Sequence, residues 1–129
     1  MARDIPPRPT DAELAILRVL WDLGPSTVRD VHERLGQQRR VGYTTVLKLL
    51  QIMNDKGLVR RDQSSRSHVY EATCSQEQTQ GQLVGDLLDR AFGGSAMQLV
   101  VQALSSKKVS NQELAEIRQL LDEIEGGVR

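Results

Sequence analysis

Hydroxyl, ammonium and amide side chains recur along one face of a helix predicted over residues 43–56. At about 100° of rotation per residue, the inward positions are Val46, Leu50 and Met53, flanked by Leu47 and Leu49. The opposite face carries Thr44, Lys48, Gln51 and Asp55, with Thr45 and Ile52 at its edge. Side chains of these types bind base edges and phosphates in the major groove of DNA. Any exposed helix face carries some of them, so the surroundings of this face must decide its interpretation.

Basic side chains gather around this helix and suit contact with phosphates. Residues 34–66 hold 8 basic and 2 acidic side chains, a net charge of +6, although the whole chain is neutral with 17 of each. The neutral total combines +3 over residues 1–72 with −3 over residues 73–129. We interpret the basic region as a DNA-binding surface. Its predicted phosphate contacts are Arg39, Arg40, Tyr43, Arg60, Arg61 and Arg66.

A solvated basic surface is the alternative to this interpretation. In that case Arg60 or Arg61 would pair with Asp62 or with a carboxylate on a helix, and we expect one of the two arginines to do so. The ring of Tyr43 is equally compatible with a half-buried position and with a hydroxyl that reaches a phosphate.

No arrangement typical of an enzyme or a metal site accompanies these residues. His32 has no second histidine at ligand spacing, and the single cysteine, Cys74, excludes a disulfide framework and a cysteine-based metal cluster. His68 is close to Cys74 in sequence, but nothing marks the oxyanion hole that a Cys–His hydrolase needs. Gly93-Gly94 ends a helix and does not form a phosphate-binding loop. We therefore predict no enzyme activity, no cofactor and no metal.

Three short helices followed by a hairpin would position the candidate residues. Thr10-Asp11-Ala12-Glu13 is a capping box that begins a helix ended by Gly24-Pro25, and Ser26 is predicted to cap a second helix ended by Gly36. The third helix ends at Gly57, and the β-prone runs 58–61 and 68–70 flank a polar turn. This order is typical of a winged helix-turn-helix. We predict a mainly α fold, with an arm over residues 1–9 and a winged-helix domain over residues 10–73.

Residues 74–129 are predicted to form three further helices that act as a dimerisation domain. A segment of this size with one aromatic side chain, Phe92, is too small to build a sufficient core alone. A second copy of the chain would cover its apolar surface, and packing onto the N-terminal domain is the alternative. The last helix also has coiled-coil spacing. The predicted dimerisation residues are Leu83, Leu87, Leu88, Phe92, Leu99, Val100, Leu114, Ile117, Leu121 and Ile124.

The first nine residues are polar and include three prolines, without the apolar run of a signal peptide. No stretch approaches the about 20 apolar residues of a transmembrane helix. We therefore expect a cytoplasmic protein.

Several blocks of the sequence together form a recognisable set. They are Thr10-Asp11-Ala12-Glu13-Leu14 with Leu20-Trp21, Thr27-Val28-Arg29-Asp30-Val31-His32, Gly42-Tyr43-Thr44-Thr45-Val46-Leu47, Lys56-Gly57-Leu58-Val59, and Leu87 to Ser95 with its Phe-Gly-Gly-Ser end. The chain resembles, over roughly residues 10–125, the penicillinase-repressor (BlaI/MecI) family of winged-helix transcriptional regulators. The Tyr-Thr-Thr-Val and Phe-Gly-Gly-Ser blocks are the most specific parts of this resemblance.

The resemblance implies a homodimeric repressor that binds a palindromic DNA operator, with a recognition helix that begins at Tyr43, Thr44 and Thr45. It implies regulated genes for β-lactamases or related cell-wall or stress functions, and a membrane sensor-protease as a partner. Family members are cleaved at an Asn-Phe bond, whereas Gln102-Ala103 stands at the matching place, which leaves the route of release open. Related copper-responsive repressors carry paired C-terminal cysteines, so copper sensing by that motif is not expected here. A winged-helix adaptor that binds protein without binding DNA is the alternative function.

Overall fold

The computed structural model describes residues 7–64, 66–106 and 108–127, so most of the predicted arm lies outside the described residues. The elements are α1 (Asp11–Leu23), β1 (Ser26–Thr27), α2 (Val28–Gly36), α3 (Tyr43–Lys56), β2 (Val59–Asp62), β3 (Val69–Ala72), α4 (Gln76–Ala91), α5 (Ala96–Ser106) and α6 (Asn111–Gly127). The chain divides into two compact units, of which the first ends at Val84 and the second begins at Gly85, within α4. The predicted functional boundary between residues 73 and 74 stays a prediction.

Helix α1 begins and ends as the sequence predicts. Thr10 Oγ1 accepts from the Glu13 N–H at 3.2 Å, and Glu13 Oε1 accepts from the Thr10 N–H at 2.9 Å. Gly24 takes a φ of 84°, a conformation that costs a glycine little and ends the helix.

The predicted cap of α2 at Ser26 is wrong. Thr27 is the N-cap, and it forms a reciprocal capping box with Asp30. A box begun at Ser26 would place Arg29 at the third helical position, where a guanidinium cannot accept a hydrogen bond from the backbone. Ser26 belongs to β1 instead, and its Oγ donates to the Gly24 carbonyl at 2.8 Å.

The predicted hairpin is present, and a third strand joins it. Strands β2 and β3 are antiparallel, and each begins one residue later than predicted. Strand β1, which no sequence pattern predicts, pairs with β3 through Ser26 and Thr27, so the sheet order is β1-β3-β2. Three helices, a small sheet and its hairpin form a winged helix-turn-helix.

Thirteen buried hydrophobic side chains form the core of the first unit. The inward faces predicted for α2 and α3 are confirmed, because Val28, Val31 and Leu35 and also Val46, Leu50 and Met53 are all buried. Helix α1 adds Ile16, Leu17, Val19 and Leu20, and Leu58, Val59 and Tyr70 complete the cluster. This core fixes the position of α3 through the buried side of the helix.

The second unit has no such core. None of its described residues is buried, and α5 and α6 contribute none. The ten predicted dimerisation residues, including Leu83 of the first unit, are half-buried or exposed within the single chain. Among the described residues, no helix is both long and apolar enough to cross a bilayer.

Candidate nucleic-acid interface

Helix α3 exposes a polar face to solvent on the side opposite its buried face. Leu50 and its two buried neighbours on α3 are fully inaccessible, whereas all the residues predicted for the outer face are exposed: Thr44, Thr45, Lys48, Gln51, Ile52 and Asp55. The predicted division of the helix is therefore confirmed. Because the inner face is locked in the core, the outer hydroxyl, ammonium and amide groups have a fixed spacing along a rigid helix.

The turn before α3 adds charge and open backbone donors. Arg39 and Arg40 are both exposed in this turn. Gly42 is the N-cap of α3 and provides no side chain to cap it. The first N–H groups of an uncapped helix are therefore open to an external acceptor such as a phosphate oxygen.

His32 is a positioning residue for this turn, a role that no pattern in the sequence predicts. Its Nε2 lies 2.9 Å from the Val41 carbonyl oxygen, so Nε2 carries the hydrogen and donates to it. Its ring also meets the ring of Tyr43 edge-on, with centroids 5.7 Å apart and an interplanar angle of 76°. Tyr43 is thereby half packed, while 48% of its surface stays exposed. The interaction joins α2 to the first residue of α3.

On the wing, Arg60 pairs with a carboxylate, although not the expected one. Its Nη2 lies 3.4 Å from Oε1 of Glu71, the residue opposite it on β3, rather than near Asp62 or a helix carboxylate. Cross-strand register explains this choice, because opposite residues face the same side of a sheet. Both side chains are largely exposed, and such pairs contribute only about 0–1 kcal/mol. The pair therefore does little to keep Arg60 from a phosphate.

Arg61 ties the wing to the recognition helix. Its backbone N–H donates to Asn54 Oδ1 on α3 at 3.2 Å. With the Gln63 amide turned to satisfy both partners, the Gln63 side-chain oxygen accepts from Arg61 Nε at 2.9 Å and from Nη2 at 2.8 Å. The backbone of Ser64 donates to the carboxylate of Asp62, and this bond lowers the pKa of Asp62. Arg66 is exposed on the far side of the turn.

At its other end, α3 is tied to α1 by an ion pair. Lys56 Nζ lies 2.8 Å from Oε2 of Glu13, whose residue is only 2% exposed. Burial is the largest influence on this carboxylate and acts to raise its pKa, but the hydrogen bonds from Lys56 and Thr10 together outweigh it, and the pKa of Glu13 is lowered. The pair holds the end of the recognition helix and takes no part in the exposed face.

Ion pairs neutralise part of the positive charge of residues 34–66. Arg34, Lys56 and Arg60 pair with Asp22, Glu13 and Glu71, all of which lie outside that range. Within the part of the chain that the structure describes, five cations of the range have no carboxylate partner: Arg39, Arg40, Lys48, Arg61 and Arg66. All five belong to the turn, the outer face of α3 or the wing. The unpaired positive charge thus lies on the elements that a winged helix presents to DNA.

No cluster of three or more His, Cys, Asp or Glu side chains that suits a metal ion occurs among the described residues.

Comparisons with known proteins identify the family. The family model described as "Penicillinase repressor" matches residues 9–123. The "Transcriptional regulator BlaI" of Mycobacterium tuberculosis is 32% identical over 118 residues, which cover 91% of this chain and 85% of that protein. The "Penicillinase repressor" of Bacillus licheniformis is 23% identical over 117 residues, 91% of each chain.

A solved structure supports the fold. The monomeric form of Bacillus licheniformis BlaI, in complex with the blaP half-operator, aligns with a TM-score of 0.50 at 22% identity. The alignment covers 57% of this chain and 89% of that one. The resemblance and the winged-helix fold predicted from the sequence are confirmed. The chain therefore belongs to the penicillinase repressor family, which consists of DNA-binding transcriptional repressors and not of enzymes.

Proposed function

We propose that this repressor binds a palindromic operator as a homodimer, with α3 in the major groove and the wing beside the adjacent phosphates. The observation that carries the proposal is the exposed face of α3, on which Thr44, Lys48 and Gln51 project from a helix whose opposite side is locked in the core. A helix held in this way can read base edges without the loss of affinity that ordering a mobile segment would cause.

The side chains of the interface have distinct proposed roles. Gln51 has the amide geometry to pair with adenine, and the methyl groups of Thr44 and Thr45 suit the thymine methyl. Phosphate contacts come from Lys48, from Arg39 and Arg40 with the open N-terminus of α3, and from the hydroxyl of Tyr43. On the wing, the phosphate contacts are Arg60, Arg61 and Arg66. The half-operator bound by Bacillus licheniformis BlaI supports this use of the fold.

The second unit supports the homodimer. Exposed apolar side chains occur along all three C-terminal helices, among them Leu87, Val100, Leu121 and Ile124 of the predicted set. Val84, Met97, Val101 and Leu120 extend the exposed apolar surface beyond that set. A surface of this kind marks an interaction site, and a two-fold dimer is the commonest way to cover one. A dimer would also present two winged helices to two half-sites about one helical turn apart.

Selection from a random duplex library with the full chain, followed by gel shifts on the selected sequence, tests the proposal. We expect a palindromic sequence whose affinity falls steeply with salt. Arg66→Ala should weaken binding and reduce the salt slope by about one, and Lys48→Ala should weaken binding without unfolding the protein. Arg118→Ala and Lys108→Ala, exposed cations of the second unit, serve as matched controls with unchanged affinity. Unchanged affinity in both interface variants would refute the assigned face.

The same experiment separates the repressor from a protein-binding adaptor, because an adaptor would show no salt-dependent retention on DNA. The family favours the repressor. The proposed regulated genes encode β-lactamases or have cell-wall or stress functions. The proposed location is the cytoplasm, where the protein can reach chromosomal DNA.

The membrane sensor-protease stays a proposed partner without an identified cleavage bond. Gln102 and Ala103 are exposed but lie inside α5, and a regular helix must unwind before a protease binds it as an extended chain. Their side chains also differ from the Asn-Phe pair that the family resemblance implies. We propose that release does not proceed by cleavage at Gln102-Ala103. N-terminal sequencing of fragments produced in induced cells tests this statement, and a fragment beginning at Ala103 would refute it.

A further inference from the structure

A cavity of 590 Å³ lies in the first unit, between α1, the end of α2 and the first residue of α4. Its volume falls within the range of about 300–1,000 Å³ that is typical of sites for small molecules. None of its lining residues belongs to α3, β2 or β3, so the cavity is separate from the proposed base-reading face. Arg39, in the turn before α3, is the one residue common to the cavity and the proposed phosphate contacts.

The charged lining of the cavity has an excess of cations. Arg34 is neutralised by its ion pair with Asp22 across the cavity wall. Arg18 and Arg39 also line the cavity, and neither has a carboxylate partner in the described part of the chain. Two arginines without a carboxylate partner in the described residues therefore border one concave site. Guanidinium groups bind carboxylates through paired, charge-assisted hydrogen bonds.

Part of the remaining lining is apolar, beside the polar residues Gln38 and Gln76. Trp21 lines the cavity together with Val19 and Leu35. Trp21 is held in place because its Nε1 donates to the Cys74 carbonyl at 2.9 Å. An anion with an apolar or aromatic body would meet both kinds of lining, whereas a fully hydrated inorganic ion would use only the arginines.

We propose that this cavity binds a small organic carboxylate with an apolar or aromatic body, and that the bound ligand competes with DNA phosphate for Arg39. The backbone N–H of Arg39 donates to the carbonyl of Leu35, a lining residue, at 3.0 Å, which anchors the arginine at the border of the two sites. The competition, unlike the cavity site itself, rests on the proposed function.

Ligand binding in the cavity can be tested on the full chain without DNA, because Trp21 is the single tryptophan and lines the cavity. Titration with benzoate should change the Trp21 fluorescence saturably, and its uncharged isostere benzamide should not. Arg18→Gln should weaken benzoate binding by about tenfold, as loss of a charge-assisted bond predicts. Arg29→Gln, which removes an exposed arginine paired with Glu33 outside the cavity, is the matched control and should bind as the wild type does.

Three results would overturn the site: no saturable change, equal binding of benzamide, or undiminished binding by Arg18→Gln. Inorganic phosphate is a further probe, and an equal response to it would overturn the requirement for an apolar body.

The competition is tested by fluorescence anisotropy of a labelled operator duplex. Benzoate should raise the apparent Kd for DNA in the wild type and much less in Arg18→Gln, which keeps its own affinity for DNA. Benzoate that binds but leaves the Kd unchanged would overturn the competition. A chain that binds no DNA would refute the proposed function, and the Trp21 titration would still decide the cavity.

Discussion

The two units of the chain differ most in what their apolar residues contact. In the unit that ends at Val84, thirteen hydrophobic side chains are buried, and every helix from α1 to α3 contributes at least three of them. In the unit that begins at Gly85, no described residue is buried, although its helices are equally regular. Helix formation and core formation are thus separate properties, because capping and periodicity shape a helix without supplying a surface to cover it.

The difference indicates which unit is complete by itself. The first unit holds its recognition helix by burial, by the Lys56–Glu13 pair and by the Asn54 bond to the wing. The second unit leaves Met97 72% exposed and Leu121 58% exposed. Such exposure is unfavourable in water at about 25 cal/mol per Å² of apolar surface. We therefore expect the second unit to depend on a partner copy and the first unit to remain folded without one.

The largest expected effect comes from charging the apolar surface of α6. Leu114→Asp combined with Leu121→Asp should convert the proposed dimer to monomers, because two carboxylates would otherwise be buried without partners. Analytical ultracentrifugation measures the change. The fluorescence of Trp21, which reports on the first unit alone, should stay that of the folded protein.

A matched control introduces the same two charges at the same spacing on α6. Gln112→Asp with Gln119→Asp alters exposed polar positions, and this variant should remain dimeric. Dimers that persist in the leucine variant, or a wild type that sediments as a monomer, would contradict the assigned interface.

A smaller effect is expected from the ion pair that ends the recognition helix. Glu13→Gln should lower the free energy of unfolding at neutral pH by about 1–3 kcal/mol, because a buried, hydrogen-bonded carboxylate is lost. Urea denaturation measures this change. Lys108→Gln, which removes an exposed lysine of the second unit, is the control and should unfold as the wild type does.

The pH dependence of unfolding distinguishes the contribution of the Glu13 charge to stability from the contribution of its packing. The pKa of Glu13 in the folded protein lies below its ordinary value of 4.5, so the unfolded chain binds the proton more readily. Its stabilisation is complete above that ordinary value and is lost as the pH falls through the lowered pKa. Between about pH 6 and pH 3 the wild type should therefore lose more stability than Glu13→Gln. Equal losses would show that the carboxylate contributes no ionised-state stabilisation.

The features that the sequence predicted correctly are those carried by residues close together in the chain. The buried side of α3 follows from a repeat of three or four residues, and the Thr10 box spans three. Gly57, with a φ of 85°, ends α3 as predicted, because the left-handed backbone conformation at this position favours glycine. The exposed face of α3 follows by exclusion once the buried side is known.

The missed features depend on contacts between distant residues or on very short elements. Glu13 and Lys56 are separated by 43 positions, so neither residue signals the other. Strand β1 has two residues, too few for a period-two pattern to appear. The cavity beside Trp21 combines α1, the end of α2 and Gln76, and no local motif describes such a surface.

The smallest expected effect concerns His32, which links the core of the first unit to its exposed face. His32→Ala removes the bond to the Val41 carbonyl and the edge-on contact with Tyr43, each worth about 0.5–1.5 kcal/mol. Only part of this loss should appear as weaker DNA binding, because the turn that carries Arg39 and Arg40 becomes more flexible. We therefore expect operator affinity to fall about three- to tenfold. His32→Gln keeps a donor and should recover part of the affinity, while Glu33→Ala, at the adjacent exposed position, should bind as the wild type does. Anisotropy titrations measure the affinities, and urea denaturation of each variant measures stability separately. An affinity that falls only in proportion to lost folding, without recovery in His32→Gln, would reduce His32 to a packing residue of α2.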